Sequence, residues 1–139
     1  AALPGATLFA GVPTYYSRLL AAPGLTAAAC RDMRLFISGS APLPDAVFHA
    51  FAARTGHTIL ERYGMTETGI NTSNPLHGVR KPGAVGPPLP GVGLRIVDEQ
   101  GQALARDVIG AIQFTRSEAI RLWKRGKSAG QSFMEKQIE

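Results

Sequence analysis

The run from Met33 to Tyr63 places the tightest limit on how this chain can fold. "MRLFIS" is a compact apolar stretch of strand length, suited to a strand covered on both faces. "GSAPLPD" breaks that pattern, with Gly39, Pro42 and Pro44 punctuating a loop. "DAVFHAFAART" then places Val47 with Phe51, and Phe48 with Ala52, at helical spacing, and Gly56 supplies a C-terminal stop. "HTILERY" returns to strand texture. Strand, loop, helix and strand in so short a span predict two parallel strands joined by a right-handed crossover, an α/β arrangement. Upstream, "VPTYYSRLLAAPG" predicts a short helix, with Pro13 at an early position, Tyr16 and Leu20 four apart, and Pro23-Gly24 as its end.

The texture changes after Asn74. "KPGAVGPPLPGVGLRIVDEQGQAL" is rich in Gly and Pro; "GLRIVD" alternates like a strand, "EQGQ" is a turn and "GAIQF" is a further strand. The expected fold class is therefore part of a mostly parallel sheet with crossover helices, followed by a small antiparallel β unit. The expected boundaries are an α/β portion over 1–74, a β portion of the same domain over 75–113 and a basic tail over 114–139. In the tail, "SEAIRLWKR" reads as a helix with Ser117 as its N-cap.

Composition narrows the function classes. The 139 residues are 45% hydrophobic and 18% charged, enough apolar surface for a packed core. No apolar run is long enough for a membrane-spanning helix. The net charge is +5, but six Lys/Arg and three Asp/Glu lie from Phe114 onward, so the tail alone carries +3. No basic stripe interleaved with aromatics occurs, so the charge does not argue for nucleic acid. Cys30, the single cysteine, reads as a small packing residue, and no Cys/His cluster has zinc-site spacing. His49, His57 and His77 have no partner spacing that argues catalysis, and read as surface or satisfied core residues.

Two loops carry the chemistry. In an open α/β sheet, ligands bind at the C-terminal ends of the strands, and "SGSAPLP" and "YGMTETG" both fall there. In "YGMTETG", Gly64 can take a positive φ and admit a ligand to the backbone. Thr66 and Thr68 offer hydroxyl donors to phosphate oxygens, Glu67 offers a hard carboxylate for Mg²⁺, and Tyr63 offers a flat ring. The same residues also fit a strand end followed by a polar turn. "SGSAPLP" likewise fits either a wall for a planar ring or a tight strand-to-helix connection, with Pro44 and Asp45 opening the helix.

Taken together, "LFISGSAPLP" and "ERYGMTETG" resemble the adenylate-forming acyl-CoA synthetase superfamily, over roughly residues 8–113. Within it, "GVPTYYSRLL", "MRLFISGSAPLP" and "ERYGMTETGINTSNP" are similar to malonyl-CoA synthetases. The resemblance implies an acid–thiol ligase that joins malonate or a related acid to ATP and then passes the acyl group to coenzyme A. It implies that Tyr63 stacks on adenine and that Gly39, Ser40, Ala41 and Pro42 form the facing wall. Arg62, Gly64 and Met65 complete the nucleotide set, Thr66 contacts phosphate and Glu67 holds Mg²⁺ through the phosphates. A second carboxylate on the acid calls for a cation, and Arg18 is the first candidate, Arg62 the second. The implied partners are ATP or AMP, Mg²⁺, coenzyme A and the acid, and the implied location is cytoplasmic.

The resemblance also implies an upstream Ser/Thr/Gly-rich loop ending in Lys-Gly, a downstream Gly-Asp and a C-terminal domain with a lysine. None of these motifs occurs in the 139 residues, which begin at Ala1 rather than Met. A fragment that does not turn over by itself is therefore expected. The alternatives are a segment specific for another short or medium acid, or a nucleotide-binding remnant without activity.

Overall fold

The computed structural model describes residues 5–105 and 110–116. By internal contacts the chain forms two compact units, Ala1–Pro87 and Pro88–Glu139.

The first unit runs β1 (Leu8–Gly11), α1 (Pro13–Ala21), a 3₁₀ turn at Ala28–Cys30, β2 (Leu35–Ser38), α2 (Asp45–Thr55), β3 (Leu60–Met65) and β4 (Gly69–Ser73). Its sheet has the order β1-β2-β3-β4. β1, β2 and β3 are mutually parallel, and β4 runs antiparallel to β3. β1 and β4 add to the strands expected. "LFAG" is short, and "GINTS" has Ile70 as its one large apolar residue, so neither carries a strand pattern strong enough to stand out.

Both helices begin and end for local reasons. Pro13 opens α1 behind an extended Val12. Asp45 opens α2 behind Pro44, where a carboxylate suits the helix dipole. Gly56 ends α2 in the left-handed conformation, at φ 76°, and its N–H donates to Ala52 O. Arg54, in the last turn of α2, donates to the carbonyls of Leu20, Ala22 and Leu25. It thereby ties the last turn of α2 to the end of α1 and the segment that follows it.

The core lies where α1 and α2 meet the sheet. Tyr16, Phe36 and Phe51 are each 0% exposed. Their rings meet edge to face, with centroids 5.4 Å apart for Tyr16–Phe51 and 4.9 Å for Phe36–Phe51. The Tyr16 hydroxyl donates to Ile37 O at 2.6 Å, pinning α1 to β2. Burial pushes that phenol well above its ordinary range. His57 donates from Nε2 to Cys30 O at 3.1 Å and rests its ring on Phe36, so it is a satisfied core residue. Cys30 is buried as a packing residue, and desolvation raises its thiol pKa.

In the second unit, β5 (Val92–Val97) and β6 (Ala111–Arg116) pair antiparallel. Asp98 Oδ1 accepts the N–H groups of Gln100 and Gln102, and Gly101 turns the chain at φ 77°. Phe114, Thr115 and Arg116, assigned from the sequence to the tail, continue β6 instead. They do so because each has a cross-strand partner on β5, as Phe114 does in Leu94. The helix expected over "SEAIRLWKR" lies outside the described residues.

Two substitutions grade this packing. Phe51→Ala should cost about 3–5 kcal/mol, because it empties a fully enclosed ring site. Tyr16→Phe should cost about 1–2 kcal/mol, because it keeps the ring and strands the Ile37 carbonyl. Chemical denaturation of the two variants measures both values, and a Tyr16→Phe cost equal to that of Phe51→Ala would contradict the assignment.

Candidate functional site

β2 and β3 pair over Ile37–Leu60 and Ser38–Glu61. The loops that follow them therefore leave from adjacent strand ends, as the sequence implied. Side chains alternate along β3, so Glu61 and Arg62 take opposite faces. Glu61 shares the helix-covered face with Ile59, and Arg62 points to the other.

Arg62 joins the two loops. A Cβ placed on Gly39 would lie 2.9 Å from Arg62 Cζ and 3.0 Å from its Nε. The guanidinium thus rests against the Gly39 backbone, in space that a side chain would fill. It is half-buried and makes no ion pair among the described residues. Arg18 is exposed on α1 and likewise makes no ion pair among the described residues. The structure therefore sets Arg62, not Arg18, against the "SGSAPLP" loop.

That loop has an unusual backbone. Ser40 has φ 67°, and it is the sole non-glycine residue with positive φ among the described residues. A left-handed serine persists where its surroundings hold it, and such residues concentrate at ligand sites. Ala41 and Pro42 follow, with Ala41 exposed. Leu43 is 3% exposed and belongs to the core cluster, so it anchors the far end.

The second motif is arranged differently from the sequence expectation. Tyr63, Gly64 and Met65 are the last residues of β3, and Thr66, Glu67 and Thr68 form the turn into β4. Gly64 does not have positive φ. It is glycine because β4 comes too close for a side chain: an added Cβ would lie 2.8 Å from Ile70 Cα and run into the Gly69 carbonyl. The register shifts at Tyr63/Gly64, as a β-bulge does. The approach of a neighbouring strand thus accounts for the glycine at this position.

Tyr63 is half-buried, while Thr66 and Glu67 are exposed on the turn. Thr68 is buried, and its hydroxyl accepts from Asn71 Nδ2 at 2.7 Å. It is committed to holding the turn, which leaves Thr66 as the hydroxyl displayed to solvent. Among the described residues no group of three or more His, Cys, Asp or Glu gathers to hold a metal.

Three buried polar residues were not legible as site residues. Glu61 is 3% exposed, and its Oε1 accepts the Leu43 N–H at 2.8 Å. Among the described residues its Oε2 has no hydrogen-bond partner, nor has the buried hydroxyl of Ser38, its register partner on β2. Asn74 donates from its backbone N–H and from Nδ2 to Glu61 O. It also donates from Nδ2 to Ala84 O and accepts from Lys81 N–H at 3.0 Å, binding the 81–84 segment to the strand end. Asn71 holds the turn as described. The one available signal was Glu61 itself, an acid at the period-two position that shares a face with Ile59. Burial raises its carboxyl pKa above the ordinary 4.5; the Leu43 N–H opposes that rise and the nearby Asp45 charge adds to it.

A family model described as AMP-binding enzyme matches residues 4–120. Malonate–CoA ligase ACSF3, mitochondrial, from Xenopus laevis is 47% identical over 108 residues, which is 70% of this chain and 19% of that protein. Malonate–CoA ligase from Arabidopsis thaliana is 46% identical over 105 residues, 70% of this chain and 17% of that protein. ATP-bound MatB from Rhodopseudomonas palustris aligns with a TM-score of 0.79 at 56% identity, covering 81% of this chain and 22% of that one. The chain spans about a fifth of the length of these curated relatives.

Two outcomes follow from the geometry. Gly64→Ala should destabilise the first unit by about 1–3 kcal/mol, because β4 must shift to admit a methyl group. Stability should also depend on pH through Glu61. Its raised pKa means that the contribution is full below about 4.5, the ordinary value, and is lost as pH rises through the folded-state pKa. Denaturation midpoints across that window should fall with pH in the native chain and stay flatter in Glu61→Gln.

Proposed function

Because the chain belongs to the AMP-binding enzyme family, we propose that it is a segment of the adenylate-forming half of an acid–thiol ligase that uses malonate. The observation that carries this reading is the Arg62 guanidinium lying against Gly39. It brings both motif loops to one place at the C-terminal ends of adjacent strands, where open α/β sheets take ligands.

In this reading adenine lies between Tyr63 and the backbone of Gly39, Ser40, Ala41 and Pro42. Tyr63 supplies a half-buried ring, and the left-handed Ser40 shapes the opposite wall. The Arg62, Gly64 and Met65 backbone borders the nucleotide along β3. Thr66, exposed at the turn, donates to a phosphate oxygen. A Mg²⁺ ion would neutralise charge on the departing pyrophosphate. Glu67 fits such an ion as one hard, exposed carboxylate, because Mg²⁺ on a nucleotide takes few protein ligands.

The acid's carboxylate oxygen attacks the α-phosphorus and pyrophosphate leaves, giving an acyl-adenylate. The coenzyme A sulfur then attacks the acyl carbon and AMP leaves. The chain's residues contribute fixed donors and a dry wall to the first step. Malonate retains a second carboxylate, which needs a buried cation. Arg62 is the favoured partner, because it is half-buried beside the loop and makes no ion pair among the described residues, whereas Arg18 is exposed on α1. Among the described residues no helix is long and apolar enough to cross a membrane. The buried, unpaired Cys30 suits a reducing compartment. The cytoplasm is one such compartment, and the vertebrate relatives are named as mitochondrial.

Titration of ATP into the full chain tests the nucleotide half. Tyr63→Ala should weaken binding by roughly tenfold or more, the usual worth of one base–aromatic stack. Pyrophosphate exchange by the chain alone should stay at background, and robust turnover would overturn that expectation. The carboxylate assignment needs a complete enzyme: a chimera with residues 5–105 in place of the matching segment of Rhodopseudomonas palustris MatB. There, Arg62→Leu should lower kcat/KM for malonate by roughly a hundredfold, the loss of charged bidentate hydrogen bonds. If Arg18→Leu produces that loss and Arg62→Leu does not, the assignment to Arg62 is wrong.

A further inference from the structure

We propose that Glu61 is a positioning residue, a buried clamp that holds the "SGSAPLP" loop in its ligand-ready shape through the Leu43 N–H. The clamp itself stands on geometry; its consequence for nucleotide affinity rests on the function proposed above.

The loop offers few means of holding itself. Pro42 and Pro44 have no N–H, and Ser40 sits in the left-handed region. Leu43 lies between the two prolines, and its N–H is the donor that reaches the sheet, at 2.8 Å from Glu61 Oε1. Both residues are 3% exposed, so water does not compete for this bond. On the other face of β3, Arg62 rests against Gly39 at the start of the loop. Consecutive residues of one strand therefore hold the loop at its two ends, with Ser40 suspended between them. A residue with strained φ persists only where its surroundings over-determine it, and these two contacts do so.

Glu61 Oε2 and the Ser38 hydroxyl, both without a partner among the described residues, lie on adjacent strands at a register pair. A neutral carboxyl is thus the form that this burial favours, in keeping with the raised pKa. Glutamine reproduces that form, since its carbonyl can accept from Leu43 while its amide faces the spare acceptor. Leucine keeps the volume and removes the acceptor.

Amide hydrogen exchange on the full chain gives the direct test. In the native chain the Leu43 amide should exchange at least tenfold more slowly than those of Ser40 and Ala41; equal rates would overturn the clamp without reference to any variant. Glu61→Gln should keep Leu43 protection, and Glu61→Leu should lose roughly tenfold of it, while amides in the middle of α2 stay unchanged in both. If Glu61→Leu opens the whole unit, the Glu61→Gln comparison decides: loss of Leu43 protection there refutes the proposal. ATP affinity is then read on the same samples. Affinity kept in Glu61→Gln and lost in Glu61→Leu, at matched melting temperature, supports positioning rather than bulk stability. Failure of the native chain to bind ATP would count against the nucleotide reading and leave the exchange result to decide the clamp.

Discussion

The parallel pairing of β2 with β3 is the constraint on which the proposed ligand edge depends. It is only two register pairs long, Ile37–Leu60 and Ser38–Glu61. So short a ladder supplies little by itself, and the helix between the strands stabilises it. α2 lays Phe48 and Phe51 into the cluster that also takes Phe36 from β2 and Ile59 from just before β3. The aromatic core thus fixes the spacing of the two strand ends, and the strand ends fix the spacing of the two loops. Packing distant from the ligand edge sets its geometry.

At the edge, missing side chains matter as much as present ones. Gly39 leaves room for a guanidinium and Gly64 leaves room for a strand. Both glycines belong to motifs that invite a ligand explanation, yet each accommodates a part of the protein. The proposed nucleotide contacts are the Tyr63 ring, the turn residues Thr66 and Glu67, and the Ser40–Ala41 backbone. This division of labour explains how a short motif can combine rigidity with display.

Much of this was legible in the sequence. The strand–loop–helix–strand order, the limits of α2 and its glycine stop came from local rules of spacing and backbone conformation. The β5–β6 hairpin came from alternation and a turn. What escaped depended on distant partners. β4 has too little apolar content to announce itself, and it forms because the bulge at Gly64 lets it dock on β3. Thr68 looks like a free hydroxyl until Asn71 folds back on it. Glu61 reads as a polar strand-end residue until the loop above brings its Leu43 N–H down. The sequence ranks Arg18 ahead of Arg62, and the tertiary fold is needed to show that Arg62 lies against Gly39.

The opposed faces of Glu61 and Arg62 also bear on folding fidelity. A slip of β3 by one residue would reverse every side chain on that strand. It would drive a guanidinium beneath the helices and strip the Leu43 amide of its acceptor. A hydrophobic strand could tolerate such a slip with modest loss, but a strand carrying an acid and a base side by side cannot. The adjacent acid and base therefore act as a polarity key, admitting one alignment of β3 and penalising its nearest competitor before any ligand arrives.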